Sequence, residues 1–67
     1  MKIELGKEYK TIMNHQAVVL YIQPEHIIDD FPIVGYVEID RVKIGVSWSM
    51  IGLAGEDMIY DLIGDFE

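Results

Sequence analysis

The chain has no cysteine, two prolines, two histidines and five basic residues among its 67 positions. Without cysteine, disulfides and thiolate metal sites are excluded. His15 and His26 stand apart in sequence, and two imidazoles fall short of the four ligands of a structural metal site. The serine and threonine hydroxyls are confined to Thr11, Ser47 and Ser49. No P-loop, dinucleotide fingerprint, nucleophile elbow or His-Glu-x-x-His pattern accompanies them, so nucleophilic and metal-assisted catalysis lack their parts. The expectation is a protein that is not an enzyme and carries no cofactor.

Basic residues are scarce, and twelve acidic ones outnumber them, for a net charge of −7. Neutralising nucleic-acid phosphates takes Lys and Arg, so direct nucleic-acid binding is not expected. The same balance disfavours anionic membranes and attracts basic protein partners. The charge is uneven. Residues 1–13 hold Lys2, Lys7 and Lys10 against Glu4 and Glu8, whereas residues 56–67 hold Glu56, Asp57, Asp61, Asp65 and Glu67 with no basic residue. Such a tail either steers a partner or keeps an apolar chain in solution. No apolar run is long enough for a bilayer-spanning helix. Met1-Lys2-Ile3-Glu4 leads into the domain without the apolar segment of a secretory signal. A cytoplasmic location is expected.

What is present is β-forming. Residues 1–67 read as a single domain, and at this size only about 60% of the unfolded surface is buried, so the core is thin. With 51% of residues apolar and no disulfide or metal to help, oligomerisation or partner binding is the remaining support for so small a chain. A homo-oligomer is therefore expected.

Residues 8–13 alternate loosely and read as a first strand; Asn14-His15-Gln16 is a turn, with Asn14 suited to positive φ. Ala17–Ile22 is a continuous run of β-branched and aromatic residues, the pattern of a strand covered on both faces. Pro24 stops it. Residues 33–39 and 42–49 form a pair around an Asp40-Arg41 hairpin turn, and Gly35 and Gly45 mark bends. Val42, Ile44, Val46 and Trp48 share one face. Met58, Ile59, Leu62, Ile63 and Phe66 fit a helical face with Asp57 as N-cap, yet Gly64 interrupts it. A helical turn leading into a short last strand reconciles the two. The predicted fold is all-β: a small SH3-like barrel of about five short antiparallel strands. Its predicted core is Val18, Leu20, Val34, Val37, Ile44, Val46 and Trp48, joined by Tyr21.

Three groups of side chains are candidates for function. Glu25, His26, Asp29 and Asp30 form either a polar loop or a set of carboxylates for a cation or acid–base work, although no calcium-loop spacing is present. Ile27, Ile28 and Phe31 either fold back to plug one end of the barrel or form an exposed contact patch. Tyr21, Tyr36 and Trp48 either pack or make an aromatic groove.

The order Gly6-Lys7-x-Tyr9, Phe31-Pro32-Ile33-Val34-Gly35-x-Val37, Trp48-x-x-x-Gly52 and Asp61-Leu62-Ile63 resembles a large group of short phage and prophage proteins. Their usual pattern is Gly-x-x-Tyr, aromatic-Pro-Ile/Val-Val-Gly, Trp-Thr-x-x-Gly and Asp-Leu. Here Asn14-His15 stands where an Asp-Gly turn is common, and Ser49 where Thr is. The resemblance implies phage origin and a non-enzymatic role in the bacterial host cell, and it transfers no catalytic residue. The leading functional expectation is an accessory protein that inhibits a host defence or regulatory protein by binding it. The alternatives are an oligomeric sponge for a nucleotide immune signal, with charge from Lys2, Lys7, Lys10, Arg41 and Lys43, or a phage structural or assembly protein. The expected contact surface comprises the loop Ile27-Ile28-Asp29-Asp30-Phe31 and the acidic tail from Glu56 to Glu67, including Asp57, Asp61 and Asp65, facing a basic host protein.

Overall fold

The computed structural model of the chain describes residues 2–66. Five strands, β1 (Glu8–Thr11), β2 (Gln16–Ile22), β3 (Ile33–Ile39), β4 (Val42–Trp48) and β5 (Leu62–Asp65), form one antiparallel sheet in the order β4-β3-β2-β1-β5. A single 3-10 turn, Met58–Tyr60, precedes β5. A four-strand meander with the last strand returning beside the first is SH3-like connectivity, as the sequence predicts. Among the described residues no helix is long and apolar enough to cross a membrane.

Local chemistry fixes the turns. Asn14 adopts φ 70°, and the turn is locked by Asn14 N–H on the Thr11 carbonyl at 2.8 Å. The Thr11 hydroxyl also accepts from His15 N–H at 3.1 Å. Asp40 and Arg41 both take positive φ, 51° and 68°, as a two-residue type I′ hairpin requires, and Ile39 pairs with Val42 across it. β2 ends two residues before Pro24, and the long connection to β3 is closed at its base by Gln23 N–H on the Pro32 carbonyl, 2.9 Å.

Cross-strand pairing sets which residues face inward. Tyr9 pairs with Ala17, Ala17 with Val37, and Val37 with Ile44. That row lies in the core, so β2 buries Ala17 and Val19, and β3 buries Ile33 and Val37. The expected burial of Val18, Leu20, Tyr21 and Val34 is corrected: Val18 is half-buried and the other three are exposed. β2 is covered on one face only, and its all-apolar run carries no alternation to reveal which face. The register shift between Val19 and Tyr21 inserts Leu20 as an extra residue, a bulge of the kind that bends a sheet. Opposite it, a Cβ on Gly35 would collide with the Val18 carbonyl oxygen, so only glycine permits this close approach. β4 follows expectation: Val46 and Trp48 are buried and Ile44 packs against the core, with Val42 at its exposed end.

The five strands form one open sheet with unpaired edges, and Trp48 is the largest side chain in its core. Trp48 is fully buried, and its indole N–H donates to the Tyr60 carbonyl at 2.8 Å. Trp48 also pairs with Ala54, and Leu62 N–H reaches the Gly52 carbonyl at 2.9 Å. These bonds connect β4 to the run entering β5, where no ladder joins the two edge strands. Tyr9, also fully buried, accepts Glu4 N–H on its hydroxyl at 2.7 Å and so anchors the segment that carries buried Ile3.

Trp48→Ala is expected to cost about 3–5 kcal/mol. That is comparable to the whole stability of a domain this size, at about 0.05–0.15 kcal/mol per residue. Trp48→Phe retains much of the packing but leaves the Tyr60 carbonyl without its donor, a loss of about 1–3 kcal/mol. Urea titration of the three proteins checks this ranking; an unchanged midpoint for Trp48→Ala would remove Trp48 from its central place.

Candidate functional site

The connection between β2 and β3 is braced rather than slack. Ile27 N–H bonds to the Pro24 carbonyl at 3.0 Å. The Asp29 carboxylate accepts from the Gln23 side-chain amide at 2.9 Å and from Phe31 N–H at 2.8 Å. The Phe31 ring lies against Gly55, where an added Cβ would sit 3.1 Å from it. Within this frame Ile28 is 100% exposed, and Ile27 and Asp30 are exposed as well. The loop therefore does not plug the barrel: Trp48, Tyr9 and Ile33 already fill the core, and the isoleucines project into water.

Beside the loop lies a cleft of ≈400 Å³ whose apolar lining includes Ile22, Pro24, Ile27, Pro32 and Met50, with Glu25 and Asp29 also on it. Met50 belongs to the turn after β4, where Ile51 and Leu53 are also exposed. The Ser49 side chain holds this turn, accepting from Leu53 N–H at 3.1 Å, while Ser49 N–H donates to the Leu53 carbonyl at 2.8 Å. Sequence reasoning missed these residues. The available signal was three large apolar side chains, Met50, Ile51 and Leu53, set around Gly52 in a segment that cannot extend the strand.

The acidic tail is less unified than the sequence suggests. Asp57 caps the 3-10 turn, accepting Ile59 N–H at 3.1 Å. Asp61 accepts Ala54 N–H at 2.7 Å and thereby holds the strand-like bridge to Trp48. Asp65 lies elsewhere, in a cleft shared with Lys2, Glu4 and Lys7, where Lys7 pairs with Glu4 at 3.6 Å. Glu67 is outside the described residues. Glu56 and Asp57 follow directly on Gly55, which lies against the Phe31 ring of the loop.

The remaining candidates do not converge. Trp48 is inside the sheet, whereas Tyr21 pairs with Val34 and Tyr36 with Gly45 on the opposite face, so no aromatic groove unites them. Lys43 Nζ stands 5.1 Å from the centre of the Tyr36 ring. His15 is half-buried in the first turn, its Nδ1 without a hydrogen-bond partner among the described residues. Among the described residues no three His, Asp or Glu side chains gather to hold a metal ion. The arrangement offers apolar contact framed by carboxylates.

Asp61→Ala is expected to lose about 1.5–3 kcal/mol of stability, the range for a hydrogen bond to a charged group. Asp65→Ala, on an exposed strand position, should stay within about 0.5 kcal/mol. Denaturant midpoints distinguish them, and equal effects would contradict the separate roles assigned to these carboxylates.

Comparison with protein-family models, with curated proteins and with solved structures gives no match.

Proposed function

We propose that this chain is a phage-encoded accessory protein that inhibits a host defence or regulatory protein by occupying it, through the braced loop between β2 and β3. The observation that carries the reading is the complete exposure of Ile28 on a loop pinned at its base and by Asp29. An isoleucine in water contributes nothing to folding. Set on a preorganised loop, it loses little conformational freedom when it enters a partner's pocket, and a few such buried anchors dominate binding energy. Met50, Ile51 and Leu53 extend the apolar contact. Glu25 and Asp30 border it in sequence, Glu56 follows Gly55, which lies against Phe31, and together with the net charge of −7 they favour a basic partner and speed its approach.

The phage assignment, and with it residence in the host cytoplasm, rests on the motif order from Gly6 to Ile63. A nucleotide sponge draws less support, because Lys2 and Lys7 share their cleft with Glu4 and Asp65 and offer phosphate no surplus of positive charge.

Tagged protein recovered from host cells during infection tests this, with Ile28→Asp as the matched control. The expected result is one host protein in stoichiometric amount with the parent chain, lost with Ile28→Asp while the melting temperature is unchanged. Capture that survives Ile28→Asp, or a variant that unfolds, would overturn the site. A co-purified nucleotide would favour the sponge, and a phage structural partner the assembly role.

A further inference from the structure

We infer that the outer face of the β1–β4 sheet is a self-association surface, its occupant a second copy of this chain. The face follows from the pairing register. One row runs Lys10, Gln16, Glu38, Lys43; the next runs Glu8, Val18, Tyr36, Gly45; the third is Tyr21, Val34, Ser47, with bulged Leu20 beside it. Leu20 is 60% exposed, and Tyr21 and Val34 are exposed with it. The bulge is what concentrates apolar surface here, because it adds Leu20 at a point where a regular strand would carry one residue fewer.

Charge identifies the occupant. The chain as a whole carries −7, so two copies repel each other over most of their surfaces. The outer face is an exception: its charged side chains are Glu8 and Glu38 with Lys10 and Lys43, a matched set. Glu8 is further engaged by the Gln16 side chain, and Lys43 lies over the Tyr36 ring. Two copies can bring this face together without bringing net charge together, and an isologous contact needs a patch that complements itself. A basic partner, favoured elsewhere on the molecule, gains nothing at a neutral face. Four strands about 4.8 Å apart and three same-face rows about 6.8 Å apart span about 20 by 20 Å, a footprint of about 400 Å², below the about 800 Å² per partner of standard interfaces and in the range of weak, transient contacts. A contact this small gives at most weak, reversible association.

This surface is separate from the loop carrying Ile28, and the experiment keeps the two readings apart. Sedimentation velocity of the purified full chain is run from about 1 to about 200 µM, alongside Leu20→Glu and Ile28→Asp. Expected are a monomer–dimer equilibrium for the parent chain, a dimer dissociation constant raised at least about tenfold by Leu20→Glu, and no change with Ile28→Asp. Raising salt should leave the dimer intact or strengthen it, since screening relieves the repulsion between two acidic chains. If Leu20→Glu unfolds, Tyr21→Ser takes its place with the same expected outcome. A parent chain monomeric throughout, a dimer indifferent to the outer-face substitution, a dimer dissolved by salt, or one abolished by Ile28→Asp would each overturn the inference.

Discussion

Everything in this sheet depends on how Trp48 is buried. A single curved sheet has little interior, and one indole occupies much of it. An indole N–H taken out of water needs an acceptor, and here the acceptor is the Tyr60 carbonyl, twelve residues further on. That bond dictates the path of the intervening chain. Residues 49–61 must leave β4, turn and come back within reach, and each stage has its own device. Ser49 closes the turn, Ala54 pairs with Trp48, and Asp61 seizes Ala54 N–H before β5 begins. The edge strands never form a ladder with one another, yet the barrel-like core is shut by this excursion.

The thin interior also explains the surface. Each strand of a one-layer sheet turns only alternate residues inward, and among the described residues nine apolar ones are buried in what space there is. The remaining large apolar side chains, sixteen of them exposed among the described residues, must go elsewhere. Eight of them gather in two regions of different character, Leu20, Tyr21 and Val34 on the outer face and Ile27, Ile28, Met50, Ile51 and Leu53 at the loop end. The outer face is electrically balanced. The loop end is uneven, bordered by carboxylates, and presents Ile28 at its tip. A surface so divided has room for two unlike contacts.

The carboxylates show how sequence composition misleads about role. Asp57, Asp61 and Asp65 occur at four-residue spacing and suggest one acidic stripe. In the fold one is a cap, one is a brace for Ala54, and one lies on a strand beside Lys2 and Lys7. Asp29 is likewise a brace for the loop that presents Ile28. Acidic side chains that hold backbone N–H groups are committed to structure, and only those left over are free to act on a partner.

Wherever the information is local, the sequence by itself determined the outcome. Pro24 ended β2, Asn14 and Asp40-Arg41 took the positive φ their turns needed, and Asp57 capped a helical turn that passed into a short last strand. The inward face of β4 was legible because Val42, Ile44, Val46 and Trp48 alternate with Lys43, Gly45, Ser47 and Ser49. Only the tertiary structure decided the rest. Ala17–Ile22 is apolar on both sides, so alternation carried no phase, and the side facing the core was set by the long-range row Tyr9–Ala17–Val37–Ile44. The Leu20 bulge arose where β2 meets Gly35, a matter of two strands approaching and not of either one alone. Whether Ile28 plugged the sheet or faced water was equally beyond local pattern. It depended on whether the interior had space left, and Trp48, Tyr9 and Ile33 had already filled it.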